Sequence, residues 1–407
     1  MTNPIENKNI LLGVTGSIAA YKAADIASKL TQAGALMDVI LTPAALKFIT
    51  PLTFQSVTMR KAFTDDDLWG GEGHVRHIGL GMTGDVLVIA PASANTIAKI
   101  AHGIADNLLV LTALAARCPI MIAPAMDGGM FSNPHTQENL AILREQGCII
   151  VGPAEGRMAS GLFGLGRMVE PAEIIGQIRW LLASGGPLAS QRVVITAGGT
   201  QESIDPIRLI TNRSSGKQGY ALAQAALDAG AEVNLIHTPT NLPVPVGSTH
   251  LLVHTAQEMA DQVLALSEQT DILIMVAAVA DFRPVQVTDQ KIKKDSGFES
   301  IQLEPTTDIL MALAEKRKNT GQPKIVIGFA AETEDILENA AHKLSAKQLD
   351  MIVANDISAP DAGFSADTNK VTLIFADGNV NELPLMDKVE VAEEIIRQAV
   401  SLLPGRG

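Results

Sequence analysis

Short apolar runs recur along the chain, and each is followed by a polar turn and a helix-length amphipathic segment. The first run, residues 9–14 (NILLGV), leads through Thr15-Gly16-Ser17 into a helical pattern that extends to about Leu30. The same spacing predicts further strands in the first half at 37–42, 85–91, 119–124 and 148–152. Strands that alternate with helices are typical of a parallel sheet, so the pattern predicts an α/β fold.

The strand and helix pattern starts again in the second half of the chain. Turn-forming residues 184–187 (SGGP) interrupt it, and a new apolar run, RVVITAG, begins at residue 192. In each half the opening strand and helix end in Ala-Gly-Ala ahead of the next apolar run. We therefore predict two doubly wound, Rossmann-like domains with mainly parallel sheets, over residues 1–186 and 187–407.

In the second half, a polar insertion separates the first strand from its helix and carries Arg208, Asn212 and residues 214–217. Such an insertion lies at the carboxyl edge of a parallel sheet, where folds of this kind bind ligands. Further along, an apolar strand runs into residues 277–281 (AAVAD), and Lys291 follows. Small residues let a ligand lie against the backbone, and a lysine reaches anionic groups. These features indicate a nucleotide-dependent enzyme.

The first half has three polar corners that suit a ligand. The Gly-rich turn at 13–17 presents backbone N–H groups at a helix N-terminus, a geometry that suits a phosphate. Residues 91–96 and 102–107 add further polar groups. Each corner alone is equally consistent with an ordinary turn or, for Ser93, with a helix N-cap. Taken together, they predict one shared ligand.

Composition limits the class of protein. The chain has 407 residues, 47% of them hydrophobic and 18% charged, which fits a globular protein of two domains. Its net charge of −13 argues against nucleic-acid binding and against anionic membranes. No run approaches the roughly 18 apolar residues of a membrane span, and the N-terminus lacks a signal-peptide core, so we expect a cytoplasmic protein. We interpret its two cysteines, Cys118 and Cys148, as buried thiols.

Two ordered sets of motifs carry a family resemblance. The first set is GVTGSIAAYK, TPAALKFITP, HIGL, APASANTIAKIAHGIADNLL, APAMDGGMF and GLGRM, which resembles the flavin-binding cysteine decarboxylase family. The second set is ITAGGTQESIDPIRLITNRSSGKQG, AAVADFRP, KIKK and GFAAET, which resembles phosphopantothenate–cysteine ligases. In this order they resemble the bifunctional bacterial enzymes of coenzyme A biosynthesis, over roughly residues 8–400.

For the second half, the resemblance implies a CTP-dependent ligase with Mg²⁺. The carboxylate of 4′-phosphopantothenate attacks the α-phosphate of CTP, and cysteine then displaces CMP from the acyl-cytidylate. Asn212 and Lys291 match catalytic positions, and Arg208 and Asn212 match substrate-binding positions. The matched nucleotide-binding positions are Ala277, Asp281, Lys291, Phe329, Lys343 and Lys347. By pattern alone, Asn212 is equally a helix cap, and two lysines four apart on the predicted helix 334–347 are an ordinary solvated face.

For the first half, the resemblance implies a decarboxylase of 4′-phosphopantothenoylcysteine that uses FMN and yields 4′-phosphopantetheine. His77 matches the active-site histidine, and Met126 matches a substrate-binding position. The matched FMN-binding positions are Gly16, Ser17, Thr42, Ser93, Asn95 and Asp106. The implied assembly is a homo-oligomer with trimeric flavin domains and dimeric ligase domains, which close into a dodecamer. The metal ligands are not implied.

Two catalytic positions depart from the family pattern. Asp127 replaces the asparagine that contacts the substrate carboxylate, and Ser160 replaces the cysteine of the segment that covers the substrate. An ionised Asp127 repels a carboxylate unless it is protonated, paired with a cation or used in another role. A serine hydroxyl is also a far weaker acid than a thiol, whose pKa is about 8.5.

Four functional hypotheses therefore stand. We favour two working activities. The first alternative is an active ligase fused to an impaired or altered flavin domain, which stops at an oxidised enethiol or acts on another cysteinyl compound. The second is a flavoprotein scaffold that binds partners and has lost ligase catalysis. A pyridine-nucleotide oxidoreductase ranks last, because neither opening turn reads G-x-G-x-x-G.

Overall fold

The computed structural model describes residues 3–68, 75–159, 161–293, 300–332, 336–356 and 366–403. The chain divides into two compact units, 2–182 and 183–407. Ser160, one of the predicted catalytic residues, lies outside the described residues.

In the described part of the first unit, six parallel strands form one sheet, in the order β3-β2-β1-β4-β5-β6. Their bounds are Asn9–Val14 (β1), Leu36–Leu41 (β2), Ala62–Phe63 (β3), Val86–Ala92 (β4), Ile120–Pro124 (β5) and Ile149–Ile150 (β6). An antiparallel hairpin follows, formed by Ala154–Arg157 (β7) and Phe163–Arg167 (β8). The strand order reverses between β1 and β4, which is where a doubly wound sheet opens a crevice for ligands.

Helices pack on both faces of this sheet. Their bounds are Ala20–Gln32 (α1), Pro51–Thr58 (α2), Arg76–Thr83 (α3), Ala94–Ala101 (α4), Leu108–Ala115 (α5), Gly128–Phe131 (α6), Pro134–Glu145 (α7) and Pro171–Ala183 (α8). Ile26 and Leu30 of α1 belong to one buried apolar cluster, and Leu109 of α5 belongs to another. Strand β4 is buried along its whole length, as expected for a strand covered on both faces.

The second unit is built around a mixed sheet, whose strands follow the order β13-β12-β9-β14-β17-β18-β20-β21. The β18–β20 and β20–β21 pairings are antiparallel, and the other pairings are parallel. These strands are Arg192–Ala197 (β9), Glu232–His237 (β12), Thr249–Leu252 (β13), Ile272–Met275 (β14), Ile325–Glu332 (β17), Met351–Asp356 (β18), Val371–Phe375 (β20) and Val380–Glu382 (β21). The order reverses between β9 and β14. The predicted α/β class with mainly parallel sheets is thus confirmed in both units.

Short antiparallel pairs and five helices complete the described part of this unit. The pairs are Gln201–Ser203 (β10) with Leu209–Thr211 (β11), Phe282–Pro284 (β15) with Leu303–Pro305 (β16), and Thr368–Asn369 (β19) with Met386–Asp387 (β22). The helices are Lys217–Asp228 (α9), Ala256–Leu266 (α10), Ile309–Thr320 (α11), Ile336–Ala346 (α12) and Lys388–Ser401 (α13). The insertion predicted after the first strand contains the β10–β11 pair.

Candidate active sites

A buried threonine fixes the switch point of the first unit. Thr15 has 0% exposure; its Oγ1 donates to the carbonyl of Pro91 at 2.7 Å and accepts the backbone N–H of Ser93 at 2.9 Å. This hydroxyl ties the turn after β1 to the turn after β4. Ser17 and Ser93, one from each turn, line a single cavity of ≈ 530 Å³. The corners at 13–17 and 91–96 therefore meet at one cavity, whereas no residue of the third predicted corner, 102–107, is among its described lining.

The walls of this cavity are partly cationic. Lys22 is only 4% exposed, and its Nζ donates to Met168 O at 3.2 Å and to Glu170 Oε1 at 3.0 Å. The hydrogen bond from Lys22 lowers the pKa of Glu170, with Arg167 adding to the effect. Lys22, Arg157 and Arg167 all line the cavity. None of these three was predicted as a site residue, although Lys22 and Arg167 each lie in a motif that carries the family resemblance.

The cavity suits the phosphate and ring of a flavin. Gly16 lies on its wall, and a Cβ there would come within 2.6 Å of Ala44 Cβ, so only glycine allows this close turn. The Ser17 hydroxyl and the cationic side chains of Lys22, Arg157 and Arg167 line the same space, and hydroxyl and cationic donors suit a phosphate. The volume also falls within the range of about 300–1,000 Å³ that is typical of cofactor sites.

Asp127 has a structural partner in this site. It is the N-cap of α6, and its Oδ1 accepts the N–H of Gly129 at 3.0 Å. Met126 and Asp127 both line the cavity, and Met126 N donates to Gly166 O of the β7–β8 hairpin at 2.9 Å. Asp127 is thus used as a helix cap, one of the roles that the sequence analysis left open.

Four residues predicted for this site are not among the described residues that line the cavity: His77, Thr42, Asn95 and Asp106. Thr42 is buried at the end of β2, where its hydroxyl caps the following turn by accepting the N–H of Ala45 at 3.3 Å. Asp106 is paired with Lys99 at 2.6 Å, and that hydrogen bond lowers its pKa. His77 lies in α3, and its buried Nδ1 has no hydrogen-bond partner within the described ranges.

The second unit uses threonines in the same way. Thr196 of β9 is fully buried, and its Oγ1 accepts the N–H groups of Val276 at 3.0 Å and Ala277 at 3.1 Å. Thr200 accepts the N–H of Ala280 at 2.9 Å. The segment after β14 is therefore held against the segment after β9, at the reversal of strand order.

Asn212 lies across the same junction. Its Nδ2 donates to Val279 O at 3.0 Å and to Ala278 O at 3.4 Å. The N-cap of α9 is Gly216, whose φ of 76° is left-handed. The alternative that Asn212 merely caps the next helix is therefore wrong.

A second cavity, of ≈ 660 Å³, opens at this junction. It is lined by six of the predicted residues: Asn212, Ala277, Asp281, Phe329, Lys343 and Lys347. Helix α12 ends at Ala346, so Lys347 follows its last turn, and its Nζ pairs with Asp308 Oδ2 at 3.0 Å. Asp308 is the N-cap of α11, where its Oδ1 accepts Met311 N at 3.1 Å. One carboxylate thus caps a helix and orients a cavity lysine.

Further polar residues lie at this cavity, and of these only Lys217, in the insertion after β9, was expected there from the sequence. Gln218 Nε2 donates to Lys388 O at 3.1 Å, and Asn369 Nδ2 donates to Gln218 Oε1 at 3.3 Å. Burial lowers the pKa of Lys388, and the neighbouring charge of Lys217 lowers it further. Lys217 pairs with Asp367 at 2.6 Å. All but Asp367 line the cavity.

Lys291 and Arg208 are not among the described residues that line this cavity. Lys291 is exposed, and Arg208 Nη1 pairs with Asp205 Oδ2 at 2.7 Å. No group of three His, Cys, Asp or Glu residues suited to a metal occurs in the described part of the chain. None of its described helices is long and apolar enough to cross a membrane.

Comparison with known proteins identifies the family. Residues 1–182 match the Flavoprotein family, and residues 188–403 match the DNA/pantothenate metabolism flavoprotein C-terminal domain. The coenzyme A biosynthesis bifunctional protein CoaBC of Bacillus subtilis (strain 168) is 45% identical over 401 residues, which cover 98% of this chain and 98% of that protein. The chain belongs to this family of bifunctional proteins. The family assignment made from the ordered motifs is confirmed.

Two further relatives match different shares of this chain. A cysteine/cysteine sulfinic acid decarboxylase from an unknown prokaryotic organism is 43% identical over 365 residues, which cover 87% of this chain and 99% of that one. A crystal structure of the C-terminal domain of a CoaBC protein is 42% identical and covers 54% of this chain and 98% of its own, with a TM-score of 0.46.

Proposed function

We propose that the chain catalyses two reactions of coenzyme A biosynthesis, cysteine ligation to 4′-phosphopantothenate and decarboxylation of the product. The observation that supports this most directly is that each unit has its own ligand-sized cavity at its reversal of strand order. We assign the decarboxylase to residues 1–186 and the ligase to residues 187–407. The family membership of each half supports the same assignment.

In the ligase, we propose that the ≈ 660 Å³ cavity binds CTP, with its triphosphate near Lys343 and Lys347. The substrate carboxylate attacks the α-phosphate and pyrophosphate leaves; the amine of cysteine then displaces CMP and loses a proton. Preorganised cations and amide donors stabilise the charge that develops on the phosphate. We assign the contact with the acyl-cytidylate to Asn212, and nucleotide contacts to Ala277, Asp281 and Phe329. Mg²⁺ enters as the complex with CTP, because phosphate oxygens are ligands that this ion prefers.

In the decarboxylase, we propose that the ≈ 530 Å³ cavity binds FMN, with its phosphate at Gly16, Ser17 and Ser93. When bound, FMN supplies the oxidation and reduction that decarboxylation of a cysteinyl group requires. The protein positions the ligand through the turn that Thr15 fixes and neutralises its charge through Lys22. Arg157 and Arg167 give the cavity further positive charge for the anionic substrate.

We further propose that the protein is a cytoplasmic homo-oligomer with trimeric flavin domains and dimeric ligase domains. His77, Asn95 and Asp106 do not line the cavity of their own chain, which is the arrangement expected if a neighbouring copy completes each flavin site. Monomeric and oligomeric protein, separated by size-exclusion chromatography, should then contain different amounts of flavin per chain. Equal flavin content in a stable monomer would contradict this proposal.

Replacing Lys291 with alanine tests the ligase assignment. We expect Lys291→Ala to abolish CTP-dependent amide formation while flavin remains bound, because the two reactions use different units. Lys318→Ala is the matched control, since Lys318 is an exposed lysine of the same unit on α11. Unchanged amide formation in Lys291→Ala would contradict the role of that lysine.

A second candidate concerns the substrate of the flavin unit. Asp127 and Ser160 depart from the family pattern, and a relative that matches 87% of this chain is a cysteine/cysteine sulfinic acid decarboxylase. Carbon dioxide release from free cysteine, cysteine sulfinic acid and 4′-phosphopantothenoylcysteine should be compared at equal concentration. A preference for either free amino acid would replace the decarboxylase proposal, whereas our proposal predicts a preference for the phosphopantothenoyl compound.

A further inference from the structure

Two loops of the second unit meet at a carboxylate that takes no part in the cavity. Asp205 lies in the insertion after β9, and its side chain is 0% exposed. The other loop, residues 288–292, follows β15 and contains Lys291. A buried carboxylate requires several donors to replace its water, so its partners show what it holds in place.

The donors to Asp205 come from both loops. Its Oδ1 accepts the N–H groups of Ile207 at 2.8 Å and Arg208 at 2.7 Å, which is a local turn. Its Oδ2 accepts Arg208 Nη1 at 2.7 Å and the N–H of Ile292 at 3.2 Å. The second oxygen therefore reaches the residue that directly follows Lys291.

Arg208 extends the same contact. Its Nη1 also donates to the carbonyl of Ile292 at 3.2 Å, so both polar groups of Ile292 are bonded to the Asp205–Arg208 pair. At the other end of the loop, Thr288 N donates to Ile204 O at 3.1 Å. Lys291 thus lies between two attachments to one insertion.

The charge state of Asp205 suits this role. Burial acts to raise its pKa, but hydrogen bonds from Ile207, Arg208 and Ile292 outweigh it, and the net pKa is lowered. The carboxylate therefore stays ionised at neutral pH and accepts from all its donors. An asparagine at position 205 keeps one oxygen that accepts the N–H groups of the turn. Its other group is an NH₂, which cannot accept the hydrogen bond from the N–H of Ile292.

We propose that Asp205 is a positioning residue for Lys291, and that it acts with Arg208 by fixing the peptide of Ile292. In this arrangement Arg208 contributes to ligation through the loop rather than by contact with the substrate. The inference rests on the proposed ligase role of Lys291. A misplacement of about 1 Å costs on the order of 100-fold in rate when a group must be held in a productive geometry.

A double-mutant cycle tests the proposal. Full-length Asp205→Asn, Lys291→Arg and the double variant are assayed for CTP-dependent amide formation, because Lys291→Arg keeps the charge and leaves a rate that can be measured. Asp205→Asn alone should lower kcat by roughly 10- to 100-fold, with KM for CTP changed less than about threefold, because orientation rather than binding is lost. In the Lys291→Arg background the same change should lower kcat far less, since residues that act through one another are non-additive. Asp289→Asn, an exposed carboxylate of the same loop, is the matched control and should leave kcat unchanged.

The outcomes separate the two proposals. If Lys291→Ala leaves ligation unchanged, the proposed role of Lys291 fails and the inference fails with it. If Lys291 matters but the two losses multiply, Asp205 acts independently and the positioning role alone is overturned. Should Asp205→Asn not fold, Arg208→Gln removes the guanidinium that donates to Asp205 Oδ2 and to Ile292 O, without changing a residue of the 288–292 loop. It should give the same non-additivity, and multiplying losses there would equally overturn the inference.

Discussion

Removing the acceptor oxygen of Thr196 should weaken CTP binding without altering the shape of the core. Thr196→Val replaces the hydroxyl with a methyl group of nearly the same volume. It removes the acceptor for Val276 N at 3.0 Å and Ala277 N at 3.1 Å, both on the cavity wall. The segment after β14 then loses these two bonds to β9 and keeps the bond from Ala280 N to Thr200 Oγ1 further along.

The size of the effect follows from these two bonds. A buried donor left unsatisfied costs about 1–3 kcal/mol, and both residues are only partly buried, so water recovers part of the loss. In the free valine variant the segment can turn these donors toward water and recover about 2 kcal/mol, which CTP binding then has to reverse, so Kd rises by at most roughly 30-fold. The control Thr196→Ser keeps the oxygen and removes one buried methyl group, which costs about 0.8 kcal/mol of stability and leaves the cavity wall attached.

Isothermal titration of CTP into wild type, Thr196→Val and Thr196→Ser measures this effect. We expect Kd to rise by roughly 10- to 30-fold in the valine variant and to stay within about twofold in the serine variant. Wild-type affinity in Thr196→Val, or equal weakening in both variants, would refute the reasoning. The first result would mean that the wall holds its shape without the hydroxyl, and the second that packing decides the affinity.

Three further predictions concern other residues. Thr15→Val should lose bound flavin, measured by absorbance after gel filtration, whereas Thr15→Ser should keep it; a flavin-loaded valine variant would contradict the assignment. Asp308→Asn should weaken CTP binding less than Lys347→Ala does, because it removes the partner of Lys347 but keeps the charge of that lysine. A larger rise in Kd for Asp308→Asn, measured by titration calorimetry, would contradict this. Burial lowers the pKa of His237, so the unfolded state binds more protons below pH about 6.5. The unfolding temperature of the ligase unit should therefore fall as pH drops through that value. If the unfolding temperature of His237→Gln depends on pH as steeply as that of the wild type, this histidine is not the cause.

Sequence patterns predicted the parts of the fold that are local. Apolar runs gave strands such as β1 and β4, because a strand covered on both faces must be apolar throughout. The Gly-rich turn predicted a cavity wall, because Gly16 contacts Ala44 too closely for any side chain. The two-residue strands β3 and β19 do not lie within a longer apolar run and were not predicted, whereas the equally short β6 was predicted because the apolar run 148–152 contains it.

The candidate sites show a different limit. Lys388 and Asn369 reach the ligase cavity through β19, β22 and α13, elements far from the motifs in sequence, and the patterns did not assign either residue to the site. Conversely, Lys291 and Arg208 match family positions but are not among the residues that line the cavity of this chain. Lys291 is exposed, and Arg208 is paired with Asp205. A motif specifies which residue types occur, whereas tertiary hydrogen bonds decide where each side chain lies.

The central claim is that one chain performs both reactions, and product analysis tests it most directly. Purified protein is given 4′-phosphopantothenate, cysteine, CTP and Mg²⁺, and its products are identified by mass spectrometry. Accumulation of 4′-phosphopantetheine is the predicted result and requires both units to work. Accumulation of 4′-phosphopantothenoylcysteine would contradict the decarboxylase half of the claim, and the absence of any amide product would contradict the ligase half.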